Sequence, residues 1–375
     1  MSTVPRRTAA LAGGGLLGIA WCLALAAPAL AHGPYDPTPP TPWIVLTAWE
    51  FDPTIAIPLA ALAVGWLWMV DRINGRHPAN PVPLLRTVSF LLGLFAIAFA
   101  LQSGIERYDT ALFSIHMVQH LLLTLVAPPL IMLGAPITQL LRVASPRVRK
   151  DLILRILHSA PVAGLTHPVT AWLAFTLVMW GSHFSPLFDL SLENPGVHEV
   201  EHLLYITTGL LFWYPVIGAD PAPRRLGYPA RGLYLLLQMP PSSFLAMALL
   251  FAEAPLYHHY ATEGSPYGID PLIDQQAAAS VMWISSDVIF IGAILVVVAA
   301  WMRAEERQAA ATDRRADAAR AALEERADRL AAARGIPVRP RPTPVAAASA
   351  TASATATGAQ APAPSPGGGE ASSSR

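Results

Sequence analysis

Seven stretches of this chain are apolar for close to the ~20 residues an α-helix needs to cross a bilayer. They cover about 54–70, 85–103, 111–133, 168–185, 198–217, 231–252 and 277–301. Breakers such as Pro128-Pro129 and Pro240-Pro241 fall inside them; a bundle tolerates these where neighbouring helices take up the freed carbonyls. An earlier apolar run, Ala9 to Leu30, follows Arg6-Arg7 and closes on Ala29-Leu30-Ala31. That order reads as a secretory signal with an A-x-A cleavage site leaving His32 first, the alternative being an uncleaved signal anchor. The pattern predicts an all-α fold, a polytopic membrane bundle of seven transmembrane helices after an N-terminal signal. Its parts are a signal over 1–31, an external segment over 32–53, the transmembrane domain over 54–301 and a cytoplasmic tail over 302–375.

Charge sharpens this division. Only 13% of the 375 residues are charged and the formal net charge is zero, against about 25% charged in ordinary soluble domains. Of the 50 charged residues, 19 lie from Arg303 onward, so the first 302 residues hold just 31. Such a chain has no basic patch to offer a nucleic acid. From Arg303 to about Arg334, Ala, Glu and Arg predict a solvated helix, and beyond Gly335 Pro, Ala, Ser, Thr and Gly predict disorder.

The Lys/Arg distribution orients the bundle. Loops after the first, third and fifth stretches carry Arg72, Arg76, Arg86, Arg142, Arg147, Arg149, Lys150, Arg155, Arg224, Arg225 and Arg231, whereas the alternate loops carry Arg107 alone. Those alternate loops are acidic instead, with Glu106, Asp109, Asp189, Glu193, Glu253, Glu263, Asp270 and Asp274. The N-terminal segment is therefore expected outside and the C-terminus in the cytoplasm, as the signal independently implies.

On that topology, eight of the eleven histidines fall outside or in the outer half of the spans: His32, His116, His120, His183, His198, His202, His258 and His259. Imidazole is costly in a bilayer, and there it faces the bundle interior and carries function by default. His116/His120 and His198/His202 are each four apart, so each pair stacks on one helix face and can converge on one ion. His183 ends the fourth stretch at the same height, and Met117 and Met282 lie at comparable depth as soft ligands suited to Cu(I). His258 and His259 could equally be a solvated loop, and His32 an ordinary terminus. Glu201 reads either as a group fixing the His202 tautomer or as a solvated helix-start carboxylate. Asp287, inside the last stretch, reads as a proton carrier, a ligand partner or a packing residue. The single cysteine, Cys22, lies in the signal, so a metal bound by the processed chain must be held without thiolate.

His198-Glu199-Val200-Glu201-His202 also matches the zinc-protease pattern H-E-x-x-H, in which the glutamate acts as general base. A membrane zinc hydrolase is thus one alternative, and a haem b protein using one His from each of two helices is another.

The segments that surround these histidines resemble a known family. His116-Met117-Val118-Gln119-His120-Leu121-Leu122 runs into Ala127-Pro128-Pro129-Leu130 and Leu133-Gly134-Ala135-Pro136. Glu201-His202 leads to Gly209-Leu210-Leu211-Phe212-Trp213 and Pro215-Val216-Ile217-Gly218-Ala219-Asp220-Pro221, and Asp274-Gln275-Gln276 to Met282-Trp283. Over roughly residues 45–300 the chain is similar to the multi-span cytochrome c oxidase assembly factor CtaG, associated with caa3-type oxidases. That family is distinct from the single-span, cysteine-bearing copper chaperone of the same name. The resemblance implies a multi-pass protein of the bacterial plasma membrane needed to produce active haem-copper oxidase. Copper delivery would make cytochrome c oxidase subunits its partners, with an extracytoplasmic copper donor upstream. Ile284-Ser285-Ser286-Asp287 stands where relatives are expected to carry a Pro-Gly turn. The first expected ligands are His116, His120, His198 and His202, then His183, with Met117 or Met282 as auxiliaries, and no catalytic residue.

Overall fold

The computed structural model describes residues 38–263 and 267–335. The signal segment, Cys22, His32 and the Pro/Ala/Ser-rich stretch after Gly335 lie outside the described residues. Among those described, every regular element is helical. Proline and small polar residues open most of the helices, because Pro at the first positions forfeits only an N–H with no intrahelical partner. Thr41 caps α1 (Pro42–Thr47), Asp52 caps α2 (Pro53–Arg76) and Ser103 caps α4 (Gly104–Tyr108), which follows α3 (Leu84–Gln102). The third apolar stretch comprises α5 (Phe113–Leu121), a π turn (Leu122–Val126) and α6 (Ala127–Leu133), then α7 (Pro136–Val143). Short helical segments fill 146–165. The remaining helices are α8 (Pro168–His183), α9 (Leu187–Glu193), α10 (Pro195–Ile217), α11 (Tyr228–Leu250), α12 (His258–Glu263) and α13 (Pro271–Ala333).

The π turn has a local cause. Pro128 and Pro129 lack the N–H groups that would bond to the carbonyls of Thr124 and Leu125, and their rings crowd those carbonyls. The helix widens ahead of them, and the freed Thr124 carbonyl accepts a bond from Trp213 Nε1 of α10 at 3.2 Å. Gly209, one helical turn before Trp213, makes that approach possible: a Cβ there would sit 2.8 Å from Pro128 Cγ and 2.9 Å from the Thr124 oxygen. Gly93 does the same for α3 on α6, its Cβ position lying 2.6 Å from Ile131 Cγ1. Small residues at such crossings are what helix packing in lipid relies on, since burial of apolar surface drives little there.

Among the described residues, six helical stretches are long and apolar enough to cross a membrane: Pro53–Arg76, Leu84–Tyr108, Phe113–Val143, Pro195–Ile217, Tyr228–Leu250 and Pro271–Ala333. The seventh expected span is α8, whose 16 residues make a rod of only ~24 Å at 1.5 Å per residue, against a hydrocarbon core of about 30 Å. Pro168 fixes where it begins, and it ends at His183, just before the Ser185-Pro186 turn. The multi-pass reading holds, with α8 a shorter helix packed against α10 and α11.

Polarity is inverted relative to a soluble protein. Trp68, Phe95, Phe244 and Val296 are exposed, while His116, Gln119, Gln139 and Gln238 are fully buried. Apolar side chains face outward and the polar groups are gathered inside, as expected for a bundle whose solvent is lipid.

The chain separates into two compact units between Arg303 and Ala304. In the second unit the described residues form the exposed helix expected from composition, with Arg329–Glu325 (2.5 Å) and Arg320–Asp317 (3.9 Å) pairs. Leu323 and Leu330 are exposed and make no seam.

Candidate metal centre

The polar interior is concentrated where α5 meets α10. Two caps set the position of α5. Ser103 ends α3 by donating to the Phe99 carbonyl (2.6 Å) and receiving the Ile105 N–H (3.2 Å), so the chain turns into α4 instead of running on. Asp274 of α13 then accepts the Phe113 N–H at 2.6 Å and the Ser114 hydroxyl at 2.5 Å. This places a carboxylate at the positive end of α5. Asn194 caps α10 by accepting from Gly196 and Val197, which starts that helix one turn ahead of His198.

Three buried histidines and a buried glutamate converge there. His116, His120, His198 and Glu201 each offer a ligand atom, and the four atoms lie within 4.8 Å of one another. His116 and His120 Nε2 are 2.8 Å apart. The tautomers follow from the neighbours. Tyr260 donates its hydroxyl proton to the Asp109 carbonyl (2.6 Å), so at 3.3 Å it accepts from His116 Nδ1. Burial and the Asp109 charge hold the Tyr260 phenol well above its usual range, so that proton stays in place. His116 Nε2 is then a lone pair accepting from His120 Nε2–H, and His120 Nδ1 is buried with no partner. An ion binding both Nε2 atoms must displace this shared proton. Both oxygens of Glu201, 1% exposed, lack a well-formed hydrogen bond, with the Ser191 and Tyr205 hydroxyls near but not closing on them. A carboxylate costs several kcal/mol to bury uncompensated, so this one calls for a cation or a proton.

His202 serves a different purpose. Its Nε2–H donates to Gln119 Oε1 at 3.1 Å, and Gln119 Nε2 donates to Glu106 Oε2 at 2.6 Å and the Ala100 carbonyl at 3.1 Å. Gln119 is fully buried and ties α10 to α4 and α3 through one amide. Glu201, expected as a supporting carboxylate, thus reaches the four-atom group, and His202, expected among the first ligands, lies outside it with its Nε2 bonded to Gln119. Glu199, the base expected on the H-E-x-x-H reading, is outside the group.

His183 stands apart, its ring centre 6.5 Å from that of His120. Its Nδ1 donates to the Met179 carbonyl at 2.7 Å, leaving Nε2 buried without a partner. It lines a cavity of about 30 Å³ together with His120, Met117, Met282 and Met179, room for about one ion or water and not for a porphyrin. His259 is structural: its Nε2 donates to the Thr110 carbonyl (3.0 Å) and its backbone N–H to Asp189 (3.1 Å). His258 is exposed. Asp287 is half-buried on α13, with Oδ1 unpartnered, and belongs to neither ligand group.

Asp109, Glu106, Gln119 and Tyr260 escape a reading based on histidine spacing. Asp109 is fully buried with neither side-chain oxygen accepting a well-formed hydrogen bond, and burial, aided by the Glu201 charge, pushes its carboxyl well above the usual carboxylate range. The available signal was Gln119 itself, an amide within an apolar stretch between two histidines.

The family model of the cytochrome c oxidase caa3 assembly factor matches residues 64–304. An uncharacterized protein of Mycobacterium tuberculosis (strain CDC 1551 / Oshkosh) is 33% identical over 288 residues, 75% of this chain and 43% of that protein. One of Mycobacterium leprae (strain TN) is 32% identical over 289 residues, again 75% and 43%. The chain therefore spans less than half the length of these curated relatives. No solved structure matches the chain.

Proposed function

We infer from its family the function of this chain, which belongs to the cytochrome c oxidase caa3 assembly factors: it binds copper in the α5–α10 cluster and hands it to a maturing oxidase. The observation that carries this reading is the convergence of His116, His120, His198 and Glu201, buried and within 4.8 Å of one another. Three imidazoles and one carboxylate suit copper, and zinc equally, and the assembly of a haem-copper oxidase supplies the reason to prefer copper. The protein sits in the bacterial plasma membrane with the cluster toward the outer face, the N-terminus outside and the C-terminus in the cytoplasm. An extracytoplasmic donor supplies the ion, an oxidase subunit receives it, and no reaction is catalysed.

Two features support a holding site over the alternatives. A zinc hydrolase would need His202 and Glu199 at the ion, whereas His202 Nε2–H is committed to Gln119. The 30 Å³ cavity beside His120 does not accommodate haem b. Purified full-length protein should retain copper by elemental analysis, and His116→Ala/His120→Ala protein should retain at least tenfold less of it through the same purification. Cells carrying that double variant should lack the haem a absorption and copper content of assembled oxidase. Absence of copper from the wild type, together with normal oxidase in the variant cells, would overturn the reading.

A further inference from the structure

Beside the four-ligand group lies a second one that the copper reading does not use. Glu106 of α4, Asp109 in the turn after it and His198 of α10 also present ligand atoms within 4.8 Å of one another, with His198 Nε2 3.8 Å from Asp109 Oδ2. Resting on the proposed metal function, we propose that these three residues form a second cation position, which receives a divalent ion and adjoins the first through the shared His198.

Four observations carry it. Asp109 is 0% exposed and neither of its oxygens accepts a well-formed hydrogen bond, so a carboxylate is held in the interior with the Thr110 backbone and the Gln119 amide near it but not closing on it. A native structure rarely leaves such a group without a function. Glu106 is the one member of the group reaching partial exposure, which gives the position an opening that the fully buried His116, His120 and Glu201 lack. Asp52 and Glu199 lie within electrostatic range of Glu106, so this side of the position carries further acid, and Arg107 is paired with Glu50 at 3.3 Å. Clefts lined by one sign of charge concentrate the opposite ion.

The ligand sets differ in a useful way. Two carboxylates and one imidazole suit a hydrated divalent ion, whereas three imidazoles and one carboxylate hold a desolvated one more selectively. An ion received at Glu106 and Asp109 keeps His198 while exchanging its carboxylates for His116, His120 and Glu201. No bare ion has to cross the apolar interior between the two positions.

The test uses purified full-length protein and Cu(II). Removing two ligands from the deeper position by His116→Ala/His120→Ala should leave a weaker Cu(II) site whose electron paramagnetic resonance spectrum shows coupling to a single nitrogen. Adding Asp109→Asn should abolish that signal. In the otherwise wild-type chain, Asp109→Asn should slow Cu(II) loading at least tenfold in stopped flow, and Asp109→Glu should restore most of the rate. If the double variant does not elute as a single species, the loading rate alone decides. A residual Cu(II) signal indifferent to Asp109→Asn, or wild-type loading rates in Asp109→Asn, would overturn the second position and leave the first intact. A wild-type chain that binds no copper at all would overturn the first, and this inference with it.

Discussion

Gln119→Leu tests whether the cluster is held in shape from behind. Leucine has nearly the volume of glutamine, so the change removes three hydrogen bonds at a fully buried position without opening a large cavity. It strands His202 Nε2–H, which loses its 3.1 Å acceptor, and Glu106 Oε2, which loses its 2.6 Å donor, and it also takes the 3.1 Å donor from the Ala100 carbonyl in the last turn of α3. Each stranded buried group costs about 1–3 kcal/mol, more where it is charged, so the variant should be about 2–5 kcal/mol less stable. Freed from Gln119, His202 can rotate, and α10 loses its link to α4. Groups that orient metal ligands are typically worth about 10–100-fold in affinity, and the loss here should fall in that range. The assay is a Cu(II) competition titration beside thermal denaturation in detergent, with Gln102→Leu as reference. Gln102 lies on α3 with its amide nitrogen buried and unpartnered, so replacing it should change stability by about 1 kcal/mol or less. Gln119→Leu protein with wild-type copper affinity and unchanged stability would refute the positioning role.

Two further outcomes follow from the same geometry. Glu201→Gln should lower equilibrium copper affinity at least roughly tenfold while Glu199→Gln stays within about twofold; the reverse order, or a hydrolytic activity lost in Glu199→Gln, would favour the H-E-x-x-H reading. Gly209→Ala forces a methyl against the Thr124 oxygen and Pro128 ring, at 2.9 and 2.8 Å, and overpacking of that kind costs about 1–3 kcal/mol. Its melting midpoint and copper affinity should both fall, whereas Gly181→Ala, with nothing within 4 Å, should change neither; equal behaviour of the two would discount the α10–π-turn contact.

Much of the architecture is legible in the chain because it depends on local composition. Apolar runs of membrane length, prolines at helix starts and the Ala/Glu/Arg stretch after Arg303 each specify their own segment, whatever the rest of the chain does. The i,i+4 spacing likewise brought His116, His120 and His198 forward, since a helix places such residues on one face irrespective of its neighbours. That face also holds Glu201 and His202, at i+3 and i+4 from His198, and spacing cannot choose between them. Gln119, arriving from α5, separates them by bonding to His202 Nε2, while Glu201 joins the group that could hold an ion. Asp109 and Glu106 were visible only as acidic loop residues; the Ser103 break folds α4 back so that they lie against a histidine some ninety residues away. Even the count of spans depended on a length, because α8 stops at 16 residues. Sequence by itself determined that this is a membrane bundle with a histidine-rich level, because hydropathy and helix period act within one segment. Tertiary structure alone decided which side chains could share an ion, because that requires lone pairs from α4, α5 and α10 to converge within a few ångströms, and the periodicity of a single helix does not encode that.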